Sequence, residues 1–310
     1  MNSLHVVTPY ILHRGLPETD RNTWVKLDCC QPTGSFKIRG IGKLCQTLKA
    51  EGVRAFVSSS GGNAGFAAAY VGAQLGLPVT VVVPSTTPDF MRTKIAALGA
   101  AVRVEGDVWD EADAVARDMA TDRQTGYVPP FDHPLLWDGH ASLIDEMVSQ
   151  GPAPDVVVVA VGGGGLLCGV ASGLKRNRLE HTAILAVETE GAASLAAAMA
   201  AGGPVSLRKI DTIASSLGAK RVAGEAFEWS RRRPVTSVTV SDAAAVRACI
   251  RFADDHLALV EPACGAALSL AYEDHPALRP YTRVAVIACG GVVVSLQKLD
   301  AWRRQFVDQQ

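Results

Sequence analysis

Four short segments hold residues whose types and spacing could do chemistry. In Pro32-Thr33-Gly34-Ser35-Phe36-Lys37-Ile38-Arg39-Gly40, a turn with a serine available as helix cap leads into a lysine flanked by an aromatic ring. A lysine in the first turn of a helix faces the positive end of the helix dipole, which disfavours its charge. A lowered ammonium pKa suits a lysine that forms a Schiff base; the alternative is an ordinary first-turn lysine on a surface helix. Ser58-Ser59-Ser60-Gly61-Gly62-Asn63-Ala64-Gly65 follows a strand pattern and precedes a helical one. Its amides and hydroxyls can hold a carboxylate or phosphate, or it is a turn capped by Ser or Asn. Gly162-Gly163-Gly164-Gly165 opens a helix through Leu166-Leu167-Cys168-Gly169. Four glycines in a row imply a backbone shape or an anion approach that a Cβ would block. Neither frame of this run completes G-x-G-x-x-G and no G-x-x-x-x-G-K-[ST] occurs, so a phosphate monoester cup fits better than a dinucleotide loop. Cys289 ends the run Val284-Ala285-Val286-Ile287-Ala288 before Gly290-Gly291. That places it at the carboxyl end of a parallel strand, where α/β proteins bind ligands, although a lone cysteine there also fits an inert core thiol.

Short β-branched runs must carry these segments. Strands are expected at 54–57, 79–83, 102–104, 156–161, 184–187 and 284–288, with helical periodicity at 64–75, 91–98 and 111–121. The run Val156-Val157-Val158-Val159-Ala160-Val161 shows no polar alternation, as expected of a strand covered on both faces. An α/β fold follows. The stretch Tyr127-Val128-Pro129-Pro130-Phe131-Asp132-His133-Pro134 breaks the periodicity and marks a return from one domain to another.

A length of 310 residues suggests about two domains. With 48% apolar residues and a mean hydropathy of +0.16 there is material for large cores. Thirty Lys and Arg against 31 Asp and Glu leave a net charge of −1, so no broad electrostatic footprint for nucleic acid or an anionic membrane is expected. The nearest candidate for a membrane span, Ala192 to Ala201, is short, and Met1 to Gly15 lacks the pattern of a signal peptide. A cytoplasmic protein with a small-molecule partner is expected. Seven cysteines without a C-x-x-C pair make neither a disulfide framework nor a zinc site. Asp132, His133, Asp138 and His140 read more simply as turn and cap residues than as metal ligands.

In order and spacing, the four segments resemble the fold type II pyridoxal-phosphate enzymes, specifically the serine/threonine dehydratases, and within them the short mammalian-type L-serine dehydratases. The resemblance runs from about Thr8 to Leu296 and includes Phe131-Asp132-His133-Pro134-Leu135-Leu136-Trp137-Asp138-Gly139-His140 and Val260-Glu261-Pro262-Ala263-Cys264-Gly265. It implies two open, twisted, mostly parallel sheets flanked by helices, as in the tryptophan synthase β chain. It also implies that Lys37 joins the cofactor as a Schiff base, that Phe36 packs on the pyridine ring, and that Asn63 bonds the ring's 3′ oxygen. Ser60, Gly61 and Asn63 are then substrate-carboxylate residues. Gly162, Gly163, Gly164, Gly165 and Leu166 become the phosphate site, and Cys289 faces the ring nitrogen. Glu188, with carbonyls near Ala192, Leu217 and Ala219, matches a monovalent-cation site, for potassium.

The implied reaction is β-elimination of L-serine, and of L-threonine, giving pyruvate or 2-oxobutanoate with ammonia. Lys37 acts as the base for the α-proton, the cofactor is the electron sink, and its phosphate is the proton donor to the departing hydroxyl. Three rivals are a serine racemase, a cysteine synthase-like enzyme and a non-catalytic amino-acid-binding protein. Racemases resembling this family carry Ser where Gly61 stands and His where Ala64 stands; Ser35-Phe36-Lys37-Ile38-Arg39 departs from the sulfide-using synthases; a mere binder has no need of Lys37. The regulatory domain of biosynthetic threonine deaminases is not expected after Ser295. The expected organisation is a large cofactor-binding domain of residues 1–42 and 139–310, with a small domain, 43–138, inserted in it and the cofactor in the cleft between. The resemblance also implies a homodimer.

Overall fold

The valine runs that lack polar alternation become the central strands of two separate sheets. The computed structural model describes residues 3–16 and 21–308. Met1, Asn2, Pro17, Glu18, Thr19, Asp20 and the last two residues, all assigned to the large domain by the sequence, lie outside the described residues. In chain order the first half forms β1 (Tyr10–Leu12), β2 (Asn22–Lys26), α1 (Lys37–Ala50), β3 (Ala55–Ser58), α2 (Asn63–Leu75), β4 (Val79–Val83), α3 (Asp89–Ala96), β5 (Ala101–Val104), α4 (Trp109–Met119), β6 (Thr125–Val128) and α5 (Pro134–Gln150). The second half forms β7 (Val156–Ala160), α6 (Gly165–Arg176), β8 (Ala183–Thr189), α7 (Ser194–Ala201), α8 (Gly224–Arg232), β9 (Val235–Val240), α9 (Asp242–His256), α10 (Pro262–Tyr272), β10 (Arg283–Ile287) and α11 (Leu296–Phe306).

Packing divides the chain into two units. The first takes the residues before Val7 and Gln31–Gly139; its sheet runs β5-β4-β3-β6, every pair parallel. Its core joins Ile38, Ile41 and Leu44 of α1 to Phe56 of β3, Val71 of α2 and Val81 of β4. The second unit takes Val7–Cys30 and the residues from His140 on. Its sheet runs β1-β2-β10-β7-β8-β9, parallel except for the antiparallel β1–β2 pair. All residues of β7 and β8 are buried, as parallel strands with helices on both faces must be.

This division does not fall where the sequence suggested. Residues 31–42, with Lys37, pack with the four-stranded unit and not with the six-stranded one, because the apolar face of α1 lies on α2 and β6. Strand β6 also replaces the first part of the expected proline-rich turn. It ends at Val128, beside Ser58 in register, and the prolines follow at once, since proline cannot donate to a ladder. No helix among the described residues is long and apolar enough to cross a membrane.

In the second unit, burial of one histidine links packing to acid stability. His13 follows β1, is 8% exposed, and meets the rings of His256, Tyr272 and Phe252 at 4.7, 4.9 and 6.5 Å. Burial pushes its pKa down to about 4. The unfolded chain therefore takes up this proton first, near pH 6.5. The stability contributed by neutral His13 is complete above that pH and is lost as pH falls from 6.5 to 4, about 3 kcal/mol in all. Urea midpoints at pH 7.5 and 4.5 should differ less in His13→Gln than in the wild type. An identical difference would refute this.

Candidate active site

In the first unit, a turn closed by the Gly34 amide on the Gln31 carbonyl, 2.7 Å, precedes α1. Lys37 is the first residue of that helix and no side chain caps it. Its amine is half-buried, donates to the carbonyl of Pro130 at 2.6 Å, and lies 4.9 Å from the centre of the Phe36 ring. An aromatic face and a backbone carbonyl thus both bear on the end of a chain of four methylenes. The second loop follows β3 and ends where Asn63, 8% exposed, starts α2. Ser60 Oγ accepts from the Gly62 amide at 3.3 Å, so the loop is drawn into a tight bend at a bare helix N-terminus, a setting that favours an anion.

In the second unit, Gly164 caps α6 at a φ of +87°, a region L side chains rarely adopt. A Cβ there would meet Ala226 Cβ at 2.5 Å, and one on Gly162 would meet Leu217 Cα and Ser216 O at 2.9 Å. The Gly163 carbonyl accepts from the Ala223 amide at 3.0 Å. The glycine run is therefore clamped on its outer side by neighbouring backbone, and its amides lead into a helix that no side chain caps. Leu166, at the second position of α6, is buried. Cys289 is buried just past β10; its side chain bonds that of Cys264 on α10, whose thiol pKa burial first and this contact second push well up.

Glu188, buried on β8, spends both carboxylate oxygens on amides at the start of α7. Leu195 N donates to Oε1 at 2.7 Å and Ala196 N to Oε2 at 2.8 Å. Burial raises its pKa to about 7 against the lowering effect of these amides. Ala192 is buried in the turn that precedes α7. The Leu217 carbonyl accepts from the Ala219 amide at 2.8 Å, and Leu217 backs Gly162.

The site residues expected from sequence thus form two groups. Phe36, Lys37, Ser60, Gly61 and Asn63 share the first unit; Gly162 to Gly165, Leu166, Cys289, Glu188, Ala192, Leu217 and Ala219 share the second. Lys37 had been expected with the glycine run, and the packing of α1 puts it with Asn63. Two residues were missed. Pro130 presents the carbonyl that holds the lysine amine, and Thr87 fills the space beside Gly61, where a Cβ would meet its Cγ2 at 2.5 Å. Both are brought in by the fold from distant sequence, and no local pattern marks either. Among the described residues no group of three His, Cys, Asp or Glu could hold a metal ion. Asp138 pairs with Lys43, and His133 Nδ1 accepts from the Leu135 amide at 3.1 Å.

The family model described as "Pyridoxal-phosphate dependent enzyme" matches residues 2–290. A human protein named L-serine dehydratase/L-threonine deaminase is 43% identical, over 97% of this chain and 95% of its own. A mouse protein named serine dehydratase-like is 45% identical over 97% and 94%. The crystal structure of a fungal L-serine ammonia-lyase from Rhizomucor miehei superimposes with a TM-score of 0.92 at 36% identity, covering 99% of this chain and all of that one.

Proposed function

The chain belongs to the pyridoxal-phosphate dependent enzymes, and from that premise we propose that it is an ammonia-lyase acting on L-serine and L-threonine, releasing pyruvate or 2-oxobutanoate with ammonia. The observation that carries the reading is a half-buried amine, Lys37 Nζ, on the same unit as an anion-favouring helix start at Asn63. The residues fit the cofactor, because the glycine run is held from behind by Leu217 and Ala226 and leads into a helix start that no side chain caps, a setting that suits a phosphate. When bound, pyridoxal phosphate supplies the aldehyde for Lys37 and an electron sink for the substrate α-carbon.

The chain's own residues do the rest. Gly162 to Gly165 and Leu166 would hold the phosphate at the α6 N-terminus. Phe36 and Asn63 would hold the pyridine ring, Asn63 through its 3′ oxygen. Ser60, Gly61 and Asn63 hold the substrate carboxylate, which orients the α-hydrogen. Lys37 Nζ would take that proton as a base, and the Pro130 carbonyl, which accepts from it at 2.6 Å, would steady the amine. Cys289 would hold the ring-nitrogen end of the cofactor, offering it a thiol and not a carboxylate. A monovalent cation, potassium, is assigned to Glu188 with the carbonyls of Ala192, Leu217 and Ala219. The six-stranded unit is assigned the cofactor-phosphate role, and the active form is taken as a cytoplasmic homodimer. A racemase would need an acid/base side chain where Gly61 stands, and Thr87 fills that space.

The test is release of pyruvate from L-serine and 2-oxobutanoate from L-threonine, with potassium and with choline in its place. Turnover of both amino acids, faster with potassium, is expected. Inactivity on both would overturn the dehydratase reading.

A further inference from the structure

Asp113 lies on α4, 54 positions from Ser59, yet three side chains of the first unit converge on it. It is 7% exposed. Ser59 Oγ donates to its Oδ1 at 2.5 Å, the Tyr127 hydroxyl donates to the same oxygen, and Arg117 Nε donates to Oδ2 at 2.7 Å. The Arg117 guanidinium also lies 4.5 Å from the centre of the Tyr127 ring. Burial first and the bond to Asp113 second push the Tyr127 phenol above its ordinary value, so it remains a donor. The apolar side of the helix anchors this carboxylate: Ala112 and Ala116 pack with Val57 and Val82 of the sheet.

The donors come from two adjacent places. Ser59 immediately precedes Ser60, and Tyr127 lies opposite Val57 in the β3–β6 register, three residues before the Pro130 whose carbonyl holds Lys37. Ser60 and Gly61 are braced on their other sides as well, since a Cβ on Gly65 would fall on the Ser60 carbonyl, at 1.7 Å, and one on Gly61 would meet Thr87. Without Asp113, the buried Ser59 hydroxyl loses its short bond to a carboxylate and keeps the longer 3.4 Å contact with the Tyr127 hydroxyl, and the loop loses its ionic anchor among these contacts.

We propose that Asp113 is a positioning residue that fixes the Ser60–Asn63 loop in its substrate-binding shape through Ser59. This rests on the reading of that loop as the carboxylate site. It predicts an effect on substrate binding in particular: a loop free to rearrange binds the carboxylate less well, whereas the lysine and the glycine run are untouched. A purely structural role predicts instead that cofactor content, thermal stability and turnover decline together.

The experiment compares the wild-type holoenzyme with Asp113→Ala, Asp113→Asn and the milder Ser59→Ala. KM and kcat for L-serine, cofactor absorbance per chain and melting temperature are recorded for each. For Asp113→Ala and Ser59→Ala, KM should rise by about tenfold while kcat falls less than about threefold. Cofactor content should stay at the wild-type level, and Asp113→Asn, which keeps an acceptor oxygen for Ser59, should recover most of the KM. Combining Ser59→Ala with Asp113→Ala should add little, because both remove the same bond. If Asp113→Ala does not fold, Ser59→Ala with Asp113→Asn decides alone. An unchanged KM in Ser59→Ala, or cofactor content falling in step with KM, would overturn the proposal. A wild type that releases no pyruvate at all would instead overturn the dehydratase reading, and this inference with it.

Discussion

Lys37→Ala should stop pyruvate release from L-serine, lowering kcat/KM by about four orders of magnitude or more. In the proposed reading the group removed is at once the cofactor's covalent anchor and the base for the α-proton, so no neighbouring side chain of the first unit substitutes for it: Ser60 is a weak base, and the Asn63 amide is none. Fold stability should barely change, since the lysine is half-buried at the very start of α1 and makes no core contact comparable to those of Ile38 or Ile41. Borohydride reduction of the cofactor-loaded wild type followed by digestion should leave the label on the Lys37 peptide, and no label should be retained by the variant. Retention of a tenth of wild-type turnover in Lys37→Ala would show that another amine does the work.

Gly164→Val should have the next largest effect, and it should fall on cofactor affinity. A β-branched residue at a φ of +87° is strained by about 1–2 kcal/mol. Its Cβ would also meet Ala226 Cβ at 2.5 Å and Val222 Cγ2 at 3.0 Å, an overpacking of about 1–3 kcal/mol. The run can relieve this only by moving, which turns its amides away from the place proposed for the phosphate. Titration of apoprotein with pyridoxal phosphate should show affinity weaker by about a hundredfold, at 1.4 kcal/mol per factor of ten. Gly203→Ala, where a Cβ meets nothing within 4 Å and φ is ordinary, is the control and should bind as the wild type does. Equal affinity in Gly164→Val would remove the glycine run from the cofactor site.

Much of the scaffold was readable because it is buried on both faces. Val79–Val83, Val156–Ala160 and Arg283–Ile287 are strands that their unbroken β-branched runs announce. Val235–Val240 was missed because it is a sheet-edge strand, with Thr236 and Thr239 exposed between its valines, and such a pattern is weaker than a fully apolar run. Thr125–Val128 was obscured by the two prolines that follow it. The glycine run and the Lys37 segment were legible because their local composition is costly or unusual enough to need a reason. The unit to which Lys37 belongs was not, since that depends on α1 packing against α2 and β6, a contact written in no short stretch of sequence. Asp113 was illegible for the same reason: Ser59 is 54 positions away and only strand pairing brings it and Tyr127 to one carboxylate.

The helix that begins with Lys37 packs directly on the helix that begins with Asn63. In the proposed reading, proton abstraction and carboxylate capture are therefore bolted to one chassis, so the base and the clasp keep their spacing as passengers of a single core.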